Sequence, residues 1–448
     1  MAEWLSRDEA RRLCDRVLAL STSEGCQVGL QSGSSGNTRY AGNEVTTGGD
    51  AADAILTVSS RFGKRTAAVT TNVFDEAGLK RTVETSERLA RLAPENPELM
   101  PLLPPQQYRD VTAFFAATAG LDAARRAEVV RGACDAAQAA GLVTAGFLER
   151  AAGSSAVANS AGLFAYHAST RASHTLTVRT PDGQGSGWAG ATHNDWGRVT
   201  PSAALAERAI QKARDSREPT ALEPGKYTVV LEPTAVGNLL GGLGFGLNAR
   251  QADEGRSFFS KRGGGTKVGE KIVDERITLV SDPSDPDLLT SPYSFEGLPL
   301  ERTVWIENGV LQTLSYDRFW ADKKGVKPVP FGQGFRMTGG TATQAELVAG
   351  VQRGLLVTRF WYIRAVDPRT LLLTGLTRDG VFLIEQGKVT GAVRNFRFNE
   401  SPMAMLGNLV ALGRPERAAS GEGGFGAGTV VPPIVVKDFT FTSVSEAV

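Results

Sequence analysis

The sequence predicts an α+β protein: a mixed helix-and-sheet N-terminal domain followed by a mainly β C-terminal domain. Three observations carry that reading. Helical segments open on paired caps, at Ser6 with Glu9 and at Thr343 with Glu346. Strand-like runs meet at tight turns such as Asn308-Gly309, the two central residues of a type I′ hairpin. No regular strand–helix–strand repeat runs along the chain, which argues against a parallel doubly wound sheet. The 448 residues suffice for two or three domains.

Taken in order, residues 7–21 predict a helix, with Ala10, Leu13, Val17 and Leu18 on one face. Strands follow near 26–31, 37–46 and 52–71, the last a hairpin turning at 62–65. A helix over about 75–93 uses Leu79, Val83, Leu89 and Ala90 as its apolar side. The run "APENPELMPLLPPQQY" at 93–108 is proline-rich and can be neither helix nor central strand, so it is a domain linker or an extended strap. A second helix covers about 121–140 and stops at Gly141. Strands are expected at 143–150, 153–159, 162–180 and 187–192, with a turn in "TPDGQ". Residues 202–217 form another amphipathic helix. A domain division is expected at residue 200, giving units of 1–200 and 201–448. Strand 226–232 then leads into a glycine-rich stretch, and the rest reads as β. In that half, turns are expected at Asp379-Gly380 and Gln386-Gly387, and one helix at 344–353 with Gly354 after its end. The run "RPERAASGEGGFGAG" is a glycine loop before a final strand.

Composition narrows the function. Apolar residues make up 41%, charged residues 22%, and the formal net charge is +1, so nothing indicates a basic nucleic-acid surface. Three cysteines, Cys14, Cys26 and Cys134, form no CxxC pair and imply a reducing compartment. The N-terminal segment is broken by arginines and acids, unlike a signal peptide. No run of about 18 apolar residues is present to span a membrane. A cytoplasmic protein is expected.

The stretch with most to say is "NLLGGLGFGLNARQADEGRSFFSKRGGG", beginning at Asn238. As a dinucleotide loop it fails, because Pro233 and about ten residues separate the strand end from Gly244 and Gly246. As a helix, Gly237, Gly241, Gly242, Gly244 and Gly246 together cost about 4–5 kcal/mol relative to alanine. Such a helix needs tight packing, or it floors a groove to which another backbone comes close. The three histidines, His167, His174 and His193, show no zinc spacing. His167 and His174 lie seven residues apart and fall on opposite faces of a continuous strand. No Gly-x-Ser-x-Gly elbow exists.

The order of "PGKYTVVLEPTAVGNLL", the glycine-rich stretch, "GRSFFSKRGGGTKVGEKIVDERITLVSDP" and "SPYSFEGLPLERTVWIENGVLQTLSYDRFWADKKG" resembles the TldD/PmbA family, as do "GKRTAAVTTN" and "ANSAG". The resemblance spans nearly the whole chain and is clearest from Pro224 to Gly325. It implies a dimeric α+β protein and, in bacteria, a two-subunit protease acting on unfolded or small peptides. One subunit, TldD, carries a zinc-binding His-Glu-x-x-x-His helix and a cysteine ligand nearer its C-terminus. The other, TldE or PmbA, has the same fold without them.

Carried over, the first histidine falls on Gly241, the glutamate on Gly242 and the second histidine on Gly246, and no cysteine follows Cys134. The resemblance therefore implies no catalytic, cofactor or metal residues in this chain, with zinc in a TldD-like partner. It implies a heterodimer with that partner or a homodimer, and a peptide groove for which Gly241, Gly244, Arg256, Ser257, Glu296 and Trp361 are candidates. "SFEG" and the aromatic "RFWYIRAVDPRT" depart from the family pattern, and Trp361 and Tyr362 are read first as core aromatics. Two alternatives stay open: a homodimeric hydrolase with an unrecognised site, and a regulatory binding protein without a proteolytic role.

Overall fold

The computed structural model describes residues 4–332, 334–419 and 428–445, and only the backbone of Phe245. The N-terminal half is built on one antiparallel sheet. Its strands are β1 (Gly25–Ala41), β2 (Glu44–Phe62), β3 (Arg65–Thr71), β4 (Val143–Asn159), β5 (Phe164–Arg179) and β6 (Ser186–His193), in the order β3-β2-β1-β4-β5-β6.

Two strand breaks expected from sequence do not occur. The "SGSSG" run at 32–36 and the residues Ala151 and Ala152 continue as strand, because Gly33, Ser34 and Ser35 pair with Gly153, Ala152 and Ala151 across β1 and β4. The chain instead reverses at Gly42 and Asn43, whose φ values of 65° and 64° suit a primed turn.

One face of this sheet is covered by helices. At one end lie α1 (Arg7–Leu20) and α2 (Glu76–Leu92), burying Leu13, Val17, Leu79 and Val83 against Val28, Leu30, Leu56 and Val58. Leu89, expected on the apolar side of α2, is exposed. After the short α3 (Ala116–Ala119), α4 (Ala123–Ala139) and α5 (Ser202–Asp215) cover the other end. Leu205, Ala206, Ala209 and Ala213 of α5 are fully buried there, beyond the residue-200 position expected for a division. Between the two clusters Arg126, fully buried, donates to the Leu121 carbonyl at 2.8 Å and to Asp50 at 3.0 Å.

The proline-rich run is an extended strap. Leu103 is buried and its carbonyl accepts from Asn159 Nδ2 at 2.9 Å. Glu98 takes a bidentate contact from Arg250 at 2.8 and 2.9 Å, and Tyr108 donates to the Gly297 carbonyl at 2.7 Å. The strap thus ties the first sheet to the second half of the chain.

Among the described residues the second half holds two sheets. In one, Thr303–Glu307 and Val310–Leu311 form the expected hairpin, with Asn308 and Gly309 at φ 48° and 78°. In the other, β7 (Gly225–Leu231) lies between Arg353–Asp367 and Ile434–Val444. The path continues through Phe396–Glu400 to Leu372–Glu385, which pairs back onto Arg353–Asp367 and closes a ring. Phe360, Phe396, Phe398, Phe439 and Phe441 fill its core with ring centroids 4.6–6.1 Å apart.

Two expectations are corrected here. Asp379-Gly380 is not a turn: the strand Leu372–Glu385 runs through it, and the positive φ values of 55° and 130° are absorbed in an irregularity of the register. Gly354 does not follow a helix end. The helix Gln344–Ala349 stops at Gly350, and Gly354 lies in a strand where a Cβ would meet the Thr228 carbonyl oxygen at 2.5 Å. The Gln386-Gly387 turn is present. The expected glycine loop lies, over residues 420–427, outside the described residues. Among the described residues no helix is long and apolar enough to cross a membrane.

Candidate functional site

The glycine-rich stretch forms helix α6 (Pro233–Gly246), which leaves the end of β7 after a single residue. Pro233 stands in its first turn, where the missing N–H costs nothing. The side chain of Glu232 makes no cap. It instead accepts from Lys212 Nζ at 2.7 Å. At the other end the buried Ser257 hydroxyl donates to the Gly246 carbonyl at 2.9 Å, satisfying a carbonyl that the helix leaves open.

Packing explains how five glycines survive in a helix. Ala235, Val236, Leu239, Leu240 and Leu243 are all fully buried in the largest core cluster. The glycines let neighbours press onto the backbone. A Cβ on Gly237 would stand 2.7 Å from Thr429 Oγ1, one on Gly242 2.8 Å from Leu373 Cδ1, and one on Gly244 2.9 Å from Phe331 Cζ. On Gly246 it would meet Leu371 Cδ2 at 2.8 Å and Phe259 Cε2 at 3.2 Å. Leu371 reaches that place from a left-handed backbone, φ 50°, which a leucine adopts only at a cost of about 1–2 kcal/mol.

The six groove candidates have separate surroundings. Gly241 and Gly244 are half-buried on α6, and Gly244 is faced by Phe331. Ser257 is committed under the end of α6. Arg256 is exposed and pairs with Glu254. Glu296 stands 3.8 Å from Arg318. Trp361 is half-buried, with the guanidinium of Arg359 5.2 Å and that of Arg378 5.0 Å from its ring centre. Tyr362 is 54% exposed, so neither aromatic is a core residue; an irregular register and φ of 54° at Tyr362 turn it outward.

The histidines stand apart from α6, on the first sheet. His167 and His174 occupy opposite faces of β5, as their spacing predicts. His174 Nε2 lies 2.9 Å from the Tyr40 hydroxyl. His193 Nδ1 accepts the Asp195 N–H at 2.9 Å. Burial pushes all three imidazoles down to about 4, with Arg417 and Arg198 adding to the effect at His193.

Comparison with known proteins places this geometry. Residues 224–443 match the family model of the PmbA/TldA metallopeptidase C-terminal domain, and residues 114–217 match that of the central domain. The chain belongs to the TldD/PmbA family. A metalloprotease of Methanothermobacter thermautotrophicus is 30% identical over 223 residues, 46% of each chain. Another, of Archaeoglobus fulgidus, is 30% identical over 192 residues, 42% of this chain and 40% of that one. The matched stretch thus spans about half the length of those relatives. The crystal structure of TldE from Thermococcus kodakarensis shares the fold, with a TM-score of 0.83 at 18% identity over 97% of this chain and 99% of that one.

Within the TldD/PmbA frame, α6 stands where the resemblance puts the zinc helix. The residues present do not fit the metal. Gly242 and Gly246 offer no donor, and the space beside their backbones is taken by Leu373, Leu371 and Phe259. Among the described residues no group of three or more His, Cys, Asp or Glu is placed to hold a metal ion. Cys14, Cys26 and Cys134 are free and buried at the other end of the chain. Sequence reasoning identified the glycines but not the leucines that fill the site. Leu371 and Leu373 lie more than a hundred residues downstream, in a hairpin that carries no motif.

Proposed function

We propose that this chain is a non-catalytic, TldE/PmbA-type subunit that completes the peptide-binding cavity of a TldD-type zinc peptidase acting on unfolded or small peptides. The observation that carries the reading is the apolar plug at α6. Zinc proteolysis needs nitrogen, sulfur or oxygen ligands around the metal and a base for its water. At the positions the resemblance assigns to two of these groups, this chain has glycine backed by Leu371, Leu373 and Phe259. A subunit with a shared fold and a plugged site contributes surface and shape to the assembly. The three free, buried cysteines support a cytoplasmic location.

The test compares a TldD-type subunit purified alone with the same subunit co-expressed with this chain. Zinc content and cleavage of an unfolded peptide are measured for both. Full activity is expected only in the pair. A partner that cleaves as well alone as in the pair contradicts the proposal.

A further inference from the structure

The face of the first sheet opposite its helices carries a cleft of about 460 Å³. Strand register lays out its floor. One row across the strands runs Asp53, Gly33, Gly153, Ser169, and the next runs Ala51, Ser35, Ala151, Arg171. Small residues pave the middle two strands, so the floor lies close to the backbone. A Cβ on Gly33 would stand 2.8 Å from the Ala152 carbonyl oxygen, and one on Gly153 2.6 Å from that of Ser32. Only glycine permits so close an approach.

The walls carry the chemistry. On β2, Asp53 is exposed and carries a carboxylate. On β5 stand Arg171 and, two residues earlier along the same face as Ser169, His167. His167 is 7% exposed, lines the cleft, and its Nε2 is buried with no hydrogen-bond partner. A buried polar atom without a partner costs free energy unless something supplies one. From β2 to β5 is three strand spacings, about 14 Å. An extended peptide of four residues covers the same distance at about 3.3–3.6 Å per residue.

We propose that this cleft binds a short zwitterionic peptide, laid across the strands with its amino group against Asp53, its carboxylate against Arg171 and a backbone amide against His167. The site deepens the peptide-handling role proposed above by naming a ligand class for this chain itself. It is tested without a zinc partner, so its failure and the failure of the subunit reading are separate results.

The experiment titrates the full-length chain with tetra-alanine, N-acetyl-tetra-alanine and tetra-alanine amide, read by calorimetry or amide chemical shifts. Tetra-alanine is expected to bind, and each cap to weaken binding by about tenfold, the effect of one charge-assisted hydrogen bond. Asp53→Asn should erase the preference for a free amino group, and Arg171→Gln the preference for a free carboxylate. Ala151→Leu fills the floor from an exposed position and should abolish binding with the circular dichroism unchanged. The proposal is overturned if tetra-alanine does not bind up to about 10 mM, if the caps make no difference, or if Ala151→Leu binds like the parent. It is equally overturned if Ala151→Leu changes the sedimentation of the chain, which would make this face a contact between copies.

Discussion

Gly246→His is expected to lower the stability of the chain by about 3 kcal/mol, as overpacking and an unpaired buried imidazole outweigh the gain in helix propensity. The three effects have comparable sizes, so their sum decides the sign. Replacing a helical glycine gains about 1 kcal/mol. Against it, the new Cβ stands 2.8 Å from Leu371 Cδ2 and 3.2 Å from Phe259 Cε2, at a buried position. Overpacking of this kind costs about 1–3 kcal/mol, and an imidazole with no partner costs about 1–3 kcal/mol more. The control is Gly132→Ala in α4, where the position is exposed and nothing lies within 4 Å of the added Cβ. There the propensity gain stands alone, and stability should rise by about 1 kcal/mol. Denaturant unfolding of both variants checks the pair. A Gly246→His protein as stable as the parent would mean that α6 is not plugged. Restoring the full motif with Gly241→His and Gly242→Glu added should bring no zinc, since Leu373 holds the place beside Gly242.

The second large effect lies at the joint between the two halves. Arg359 and Asp379 are 5% and 2% exposed, paired through Arg359 Nε at 2.9 Å, and Asp379 also accepts from Ser186 Oγ of β6 at 2.6 Å. Arg359→Met removes the hydrogen-bonded cation of a buried carboxylate, leaves only the more distant Arg378 at 3.8 Å, and should cost about 3 kcal/mol. Adding Asp379→Asn should recover part of the loss. Asparagine tolerates the φ of 55° found there.

The pH dependence follows from the charge. Burial acts to raise the Asp379 carboxyl, but the Arg359 charge and the hydrogen bonds from Ser186 and Arg359 outweigh it and hold it below its ordinary value. In the parent, the pair's contribution is therefore present above the unfolded carboxyl pKa of about 3.9 and lost as pH falls through the depressed value. In Arg359→Met the carboxyl moves the other way. The deficit of the variant should shrink as the pH is lowered and the buried acid is neutralised. Unfolding curves across that range give the answer, and a deficit independent of pH would show that the arginine acts through packing against Trp188 and Trp361 alone.

Local signals were legible where local chemistry decides. The capping boxes at Ser6 and Thr343 and the Asn308-Gly309 hairpin need only a few neighbouring residues. The residues of α6 alone left a packed helix and a groove floor both open; the structure decides for the helix, whose Leu239, Leu240 and Leu243 are fully buried. What failed depended on distant partners. Asp379-Gly380 carries a turn signal, yet the Arg359 guanidinium and a pairing strand turn it into an irregular strand. The small residues at 32–36 and at 151–152 read as strand breaks singly, and the strands run through them only because β1 and β4 pair there across more than 100 residues. For the same reason the cleft and the plug were invisible: each is assembled by register between strands that share no motif.

Leu371, Leu373 and Phe259 fill the space beside the glycines that the resemblance aligns with zinc-helix residues. The most direct measurement is the zinc content and peptidase activity of the purified chain alone, set beside those of the pair. Neither metal nor cleavage is expected from the lone chain, and both are expected from the pair. Stoichiometric zinc with cleavage by the lone chain would contradict that expectation and send the search for ligands back to His167, His174 and His193.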